Sequence, residues 1–156
     1  MKALILFLLL FTSNINAEVD SYTSESLGVS IDIPTINPIE SQEIYVIADF
    51  FLPSKGAFSS NIGIQKQKFK GSLNDYNELS LSQFKSAGWT VIKFKKILNG
   101  LLWEYVGSMF GHDLHWYAKA IKKGDYIYLV TATALSSEWE SQKDVLKKSI
   151  DSFKVK

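Results

Sequence analysis

The 156-residue chain contains no cysteine and no arginine. The missing cysteine excludes a disulfide framework, a thiol nucleophile and a cysteine-bound metal. It also excludes a lipidated cysteine after a signal sequence. Because every basic residue is a lysine, the planar guanidinium that holds phosphates and guanine edges at two points is missing too.

The charges leave no excess of either sign. The formal net charge is +1, and without Lys2 the remaining sixteen lysines balance sixteen Asp and Glu residues. A neutral chain has no broad positive field to attract nucleic acid. We therefore expect no nucleic-acid partner.

Long apolar runs are missing after the first residues. Lys2 precedes an apolar run from Ala3 to Phe11, and small Ala17 follows a polar stretch. Nine apolar residues are too few to span a bilayer, which takes about 20. The alternative is a buried N-terminal helix, but the pattern favours a signal peptide over 1–17. We expect a soluble periplasmic or secreted protein that begins at Glu18, with a flexible arm over 18–26.

One domain is predicted over 27–156, since the remaining length suits a single core. Alternating or β-rich runs predict strands at 27–34, 43–53, 59–69, 90–98, 101–109 and 114–122. Asn99-Gly100 between two such runs is a strong hairpin signal, and a type I′ turn needs positive φ at both residues.

Two stretches have helical spacing. The first covers 72–87, with Ser72 as its N-cap, Asp75 in its first turn and Gly88 at its end. The second covers about 137–151 and begins with Ser137 and Glu140, the spacing of a capping box.

The run "DYIYLVTATA" (125–134) has three possible readings: a membrane segment, a buried helix or a central strand. It is too short to span a bilayer, and its Tyr, Ile, Val and Thr residues favour a strand. Since both of its faces are largely apolar, both must be covered. The fold class predicted is α+β: an α/β/α sandwich around a mainly antiparallel sheet of six to seven strands.

Several stretches resemble the PsbP-like family, which includes bacterial envelope proteins of the DcrB type. These stretches are "LNDYNEL", "ILNGLLWEYVG", "LHWYAKAI", "DYIYLVTATA" and the final "SF". The resemblance runs from about Leu27 to Phe153. It implies an antiparallel sheet between helices and a non-enzymatic accessory or binding role. Two departures are the missing lipidated cysteine and the "PTINP" that replaces a glycine-tryptophan pair after the first proline.

Four residues are candidates for a zinc or manganese site: His112, Asp113 and His115 in "GHDLHW", with Glu104 on the preceding strand. Because the two histidines are three apart at the start of a strand, their side chains should point to opposite faces. The alternative is a polar hairpin tip with one half-exposed histidine. We expect no cofactor, and no serine lies in a Gly-x-Ser-x-Gly elbow.

Lysines and aromatic residues suggest a possible interaction surface: Lys66, Lys68, Lys70, Lys93, Lys95, Trp103 and Tyr105. The lysines would suit an acidic partner or an anionic lipid, but lysines on an edge strand also discourage edge-to-edge pairing. The aromatic residues would line a recognition groove or pack in the core.

Three functions follow from these observations. The first is a non-enzymatic exported binding or accessory protein that contacts an unidentified envelope or extracellular protein. The second is a carrier of a small apolar or lipid-like ligand. The third is a metal-assisted hydrolase.

Overall fold

The computed structural model describes residues 18–24, 29–35, 44–54, 56 and 58–156. The predicted signal peptide at 1–17 lies outside these residues. The chain divides into two compact units, Met1–Ser41 and Gln42–Lys156.

The first unit contains a two-stranded antiparallel sheet. Strand β1 (Glu18–Ser24) pairs with β2 (Val29–Thr35), and Tyr22 lies opposite Ile31. Residues 18–24 of the predicted arm thus form strand β1, and the predicted first strand is its partner β2.

The second unit is one antiparallel sheet with a helix on each face. Its sheet order is β3-β4-β8-β7-β6-β5. The elements are β3 (Ile44–Phe51), β4 (Asn61–Lys68), α1 (Leu73–Ser86), β5 (Thr90–Ile97), β6 (Gly100–Met109), β7 (His112–Lys123), β8 (Tyr126–Leu135) and α2 (Trp139–Ser152). The predicted α/β/α sandwich is confirmed, with every neighbouring pair of strands antiparallel. No helix in the described part of the chain is both long enough and apolar enough to cross a membrane.

Strand β8 is the central strand predicted for 125–134. It lies between β4 and β7, and Ile127, Val130, Ala132 and Ala134 are buried. Ile127 belongs to the core under α1, while the other three belong to the core under α2. Coverage on both faces explains why the run has so little polar surface.

Helix α1 covers one face with an aromatic core. Ser72 caps the helix through the backbone N–H of Asp75, and the Asp75 carboxylate accepts from the backbone N–H of Ser72. The helix ends before Gly88, whose φ of 73° suits glycine. Phe84 stacks on Tyr105 with 4.3 Å between ring centroids, and Tyr105 stacks on Trp116 at 5.1 Å.

Helix α2 covers the opposite face through Trp139, Leu146 and Ile150. The capping box predicted from Ser137 and Glu140 was wrong, because the helix begins later and Glu138 occupies the N-cap without a side-chain hydrogen bond. Glu140 instead pairs with Lys143.

The β5–β6 hairpin is confirmed, but its turn lies one residue earlier than predicted. Ile97 pairs with Gly100, so Leu98 and Asn99 form the turn, and Asn99 has the positive φ of 53°. Gly100 is required for a different reason: a Cβ there would lie 2.3 Å from the backbone oxygen of Ala120 on β7.

We expect Gly100→Ala to lower the free energy of unfolding by about 2 kcal/mol, because a backbone oxygen cannot move aside without distorting β7. Urea denaturation measures the change. Gly56→Ala is the matched control, since nothing lies within 4 Å of a Cβ at that position. Equal effects of the two substitutions would contradict the steric explanation.

Candidate functional site

The structure brings two of the four metal candidates together beneath α2. Glu104 on β6 lies opposite Tyr117 on β7, two residues along the strand from His115, so the Glu104 and His115 side chains share a face. The Oε1 atom of Glu104 lies 2.9 Å from Nε2 of His115. Both side chains are only 10 % exposed.

Helix α2 supplies the rest of this cluster. The ring of Trp139 stacks on that of His115, with 3.8 Å between centroids and an angle of 12°. Lys147, two turns further along, donates to Oε2 of Glu104 at 2.9 Å. We call Glu104, His115, Trp139 and Lys147 the α2 cluster. Each carboxylate oxygen of Glu104 therefore has its own partner.

The protonation states in the α2 cluster follow from burial and charge. Burial acts to raise the pKa of Glu104, but the hydrogen bonds and charges of Lys147 and His115 outweigh it and hold that pKa below its ordinary value. Burial lowers the pKa of His115, which outweighs the opposing effect of Glu104. At neutral pH Glu104 is therefore ionised and His115 neutral. Since an ionised carboxylate can only accept, Nε2 of His115 carries the proton and donates.

Polar contacts continue from the α2 cluster to the end of the helix. The hydroxyl of Tyr117 donates to Oδ1 of Asp151 at 3.1 Å. Burial and the nearby carboxylates of Asp151 and Glu104 raise the pKa of Tyr117 to about 12. Lys119 on β7 donates to the carbonyl oxygens of Asp151 and Phe153. Lys119 thereby satisfies carbonyl groups at the negative end of α2, whose last turn has no basic residue of its own.

The contacts of the α2 cluster attach helix α2 to the sheet. A cation at Glu104 would compete with Lys147, which already provides a positive charge there. His112 lies on the face of β7 opposite His115, as the spacing predicted, with its ring 5.5 Å from that of Phe58. Asp113 accepts a hydrogen bond from Ser108. Within the described ranges, no three His, Cys, Asp or Glu residues are grouped as metal ligands would be.

The five lysines proposed as an interaction surface are not one patch. Lys66 and Lys68 lie on β4, and the Lys66 ammonium is 4.0 Å from the ring centroid of Tyr126. Lys93 and Lys95 lie on the edge strand β5, on the same face of the sheet. Since β8, β7 and β6 separate β4 from β5, about 19 Å lies between the two groups. Lys70 is exposed in the connection between β4 and α1.

The aromatic members of the proposed surface are core residues. Trp103 is 1 % exposed and Tyr105 3 % exposed, so neither can meet a partner. Both point towards α1, where the indole nitrogen of Trp103 donates to Oδ1 of Asn77 at 3.0 Å. Their inclusion was wrong because β6 is covered on both faces, which its own sequence does not reveal.

The tip of the β6–β7 hairpin, expected from the sequence to be polar, carries an exposed aromatic residue. Met109 pairs with His112, so Phe110 and Gly111 form a two-residue turn. Their φ angles are 53° and 80°, the left-handed region at both central positions of a type I′ turn. Phe110 is 73 % exposed. The sequence feature that indicates this turn is Gly111 between two β-rich runs. Phe110, a bulky residue, occupies the position before it, where Asn is preferred.

No protein-family model and no curated protein matches the chain. Among solved structures, a Pseudomonas aeruginosa protein of unknown function, PA94, whose name adds a suggested role as regulator, is 18 % identical. It has a TM-score of 0.63 over 88 % of this chain and 97 % of its own. This likeness shows a shared fold. The cyanobacterial PsbP protein (CyanoP) of Synechocystis sp. PCC 6803 is 12 % identical, with a TM-score of 0.47 over 96 % of this chain and 99 % of its own.

We expect the free energy of unfolding to decrease as the pH falls below about 6.5, and His115→Gln to weaken that decrease. The pKa of His115 is lowered in the folded chain, so the unfolded chain binds more protons in this range and stability is lost on acidification. Urea denaturation from about pH 8 to about pH 5.5 measures the slope.

His112→Gln is the matched control for this slope, because His112 lies outside the α2 cluster on the other face of β7. Glu104 does not affect the slope in this pH range. Its pKa is lowered from 4.5, so its contribution to the free energy of unfolding is lost only at still lower pH. A His115→Gln profile that superimposes on that of the unaltered protein would disprove the assignment.

For Lys147→Met, we expect a loss of about 2 kcal/mol in the free energy of unfolding at about pH 8, and a smaller loss at about pH 5.5. The charge of Lys147 helps to keep the pKa of His115 low. Without it, His115 takes up a proton more readily and replaces the missing cation beside Glu104. The neighbouring, exposed Lys148→Met is the control. A loss that is the same at both pH values would show that His115 does not compensate.

Proposed function

We propose that this chain is a non-enzymatic, exported binding or accessory protein of the cell envelope that acts through protein contacts. The single observation that carries the proposal is Phe110, an exposed aromatic side chain in a strained backbone conformation at a hairpin tip.

A bulky residue with positive φ is uncommon because the left-handed conformation costs about 1–2 kcal/mol. Asn at the same turn position would relieve most of that cost. Phe110 gains nothing in return from burial, since 73 % of it is exposed. Strain of this kind is typical of positions that are kept for a contact rather than for stability.

The base of the hairpin is held firmly, so the tip is presented in one position. Ser108 donates to the Asp113 side chain across the two strands. The backbone N–H of Ser136, in the turn before α2, donates to the carbonyl oxygen of Asp113 at 2.8 Å. The ring of His112 contacts that of Phe58. A preorganised aromatic residue loses little conformational entropy when it binds.

The charges near the base favour a protein over a lipid surface. Asp113 carries a carboxylate at the base of the hairpin, and Glu138 belongs to the adjoining turn. Anionic lipid surfaces attract lysine and arginine and repel carboxylates. A partner protein with an apolar pocket and hydrogen-bond donors at the rim of that pocket would suit both the Phe110 ring and the carboxylates of Asp113 and Glu138.

Further features support the remaining parts of the proposal. Glu104 and His115, which could otherwise act as a base and an acid, are committed to holding α2. The pattern of residues 1–17 supports export, and the resemblance to PsbP-like proteins of the DcrB type supports an envelope role. The suggested regulatory role in the name of PA94 is compatible with action by contact. The ligand-carrier and metal-hydrolase alternatives stay predictions.

We expect Phe110→Asn to raise the free energy of unfolding by about 1 kcal/mol and to abolish contact with the partner, because it relieves the strain and removes the ring. Thermal or urea denaturation measures the first effect. Photo-crosslinking in intact cells from benzoylphenylalanine at position 110, followed by mass spectrometry, identifies the partner, and unlabelled Phe110→Asn should fail to compete.

Leu98→Asn and benzoylphenylalanine at position 98 are the controls. Leu98 is 90 % exposed at the tip of the β5–β6 hairpin, but Asn99, not Leu98, takes the positive φ in that turn. Equal crosslinking from both tips, or loss of stability in Phe110→Asn, would refute the proposal.

A further inference from the structure

Strand β3 is an apolar edge. It is the outermost strand of the six-stranded sheet, and among the residues that the structure describes its pairing partner is β4. Its large apolar side chains are 42 to 60 % exposed; they are Ile44, Tyr45, Val46, Ile47, Phe50 and Phe51. An exposed, apolar edge strand is a template for pairing with another strand.

The opposite edge is protected against such pairing. Strand β5 carries Lys93, Lys95 and Lys96, which discourage the approach of another strand. Strand β3 has one charged residue, Asp49. Both edges have a bulge, at Ile47 in β3 and at Ile92 in β5, so the bulges do not distinguish them. The difference between the edges lies in their charge.

The bulge at Ile47 makes β3 self-complementary. On the two sides of the bulge, the register with β4 shifts by one residue. As a result, Ile44, Val46, Asp49 and Phe51 face α1, while Tyr45, Ala48 and Phe50 face α2. Two residues at equal distances from the strand centre therefore face the same side of the sheet. In a strand without a bulge they would face opposite sides, because one has an odd number and the other an even number. An antiparallel pair of identical strands about a two-fold axis requires this match.

We propose that two copies of this chain pair antiparallel through β3, about a two-fold axis between Ile47 and Ala48. In this register Ile44 lies opposite Phe51, Tyr45 opposite Phe50, and Val46 opposite Asp49. Apolar side chains then meet on both faces of a continuous twelve-stranded sheet.

Charge also favours a second copy in this register. The two Asp49 carboxylates do not meet, because each lies opposite Val46 and the two positions are about 10 Å apart along the strands. At physiological ionic strength that separation is beyond the range of strong repulsion. The two-fold axis would direct the two Phe110 tips towards opposite ends of the dimer, so pairing at β3 and a partner at Phe110 are compatible.

Light scattering and sedimentation of the purified protein, in a dilution series from ~1 mM to ~1 μM, test the proposal. We expect twice the monomer mass at the concentrated end. Ile47→Lys places two ammonium groups beside the axis and should raise the dissociation constant at least ~100-fold. Ile92→Lys is the matched control: the two isoleucines are the bulge residues of opposite edges, with exposures of 53 % and 56 %. The control should leave the dimer intact.

Disulfide formation tests the register, because the chain has no cysteine of its own. In Ile47→Cys the two Cα atoms would lie about 6 Å apart, within reach of a disulfide. In Ile44→Cys they would lie about 23 Å apart at opposite ends of the paired strands. We expect Ile47→Cys to crosslink under mild oxidation and Ile44→Cys to stay monomeric on a denaturing gel.

A monomer at every concentration would overturn the proposal, as would a dimer that survives Ile47→Lys or efficient crosslinking of Ile44→Cys. Should Ile47→Lys not fold, as judged by circular dichroism, Phe50→Lys replaces it. This change removes the ring that would pack against Tyr45 of the second copy, and it should likewise raise the dissociation constant.

Discussion

The central strands of the sheet are apolar on both faces, and the rest of the structure depends on covering both. On β7, Trp116 points towards α1 and the adjacent Tyr117 towards α2, and both are buried. A strand with two such faces is unstable in water until both are removed from solvent. Helices α1 and α2 satisfy that constraint, one on each side, from two segments that lie before and after the central strands in the chain.

The two helices are attached by different forces. Helix α1 packs through aromatic rings, with a side-chain hydrogen bond from Tyr76 to Gln67 at its margin. Helix α2 packs through Leu146 and Ile150 but is also fastened electrostatically, by Lys147 on Glu104 and by Lys119 on its last carbonyl groups. The second attachment responds to pH close to neutrality, because there a histidine shares a carboxylate with a lysine.

Surface chemistry varies around the sheet in a way that packing alone does not require. One edge carries lysines and the other carries exposed apolar residues, while one hairpin tip holds an exposed aromatic residue with a strained backbone. Exposed features that oppose stability or solubility are the ones for which a contact is the simplest physical explanation. Edge and tip are separate surfaces, so this one fold has room for two kinds of contact.

Local patterns in the sequence determined the two helices, the strands of the six-stranded sheet and their layered arrangement, because the periodicity of apolar residues reflects burial directly. The opposite orientation of His112 and His115 was also predictable, from the alternation of a strand. The α2 cluster was not predictable, because Lys147 and Trp139 are distant from Glu104 in sequence. They meet Glu104 and His115 only when α2 docks on β6 and β7. In the same way, Trp103 and Tyr105 looked available until coverage by α1 buried them. Sequence specifies which side of an element is apolar, but only tertiary packing decides which elements cover that side, and therefore which polar groups meet and which aromatic rings stay exposed.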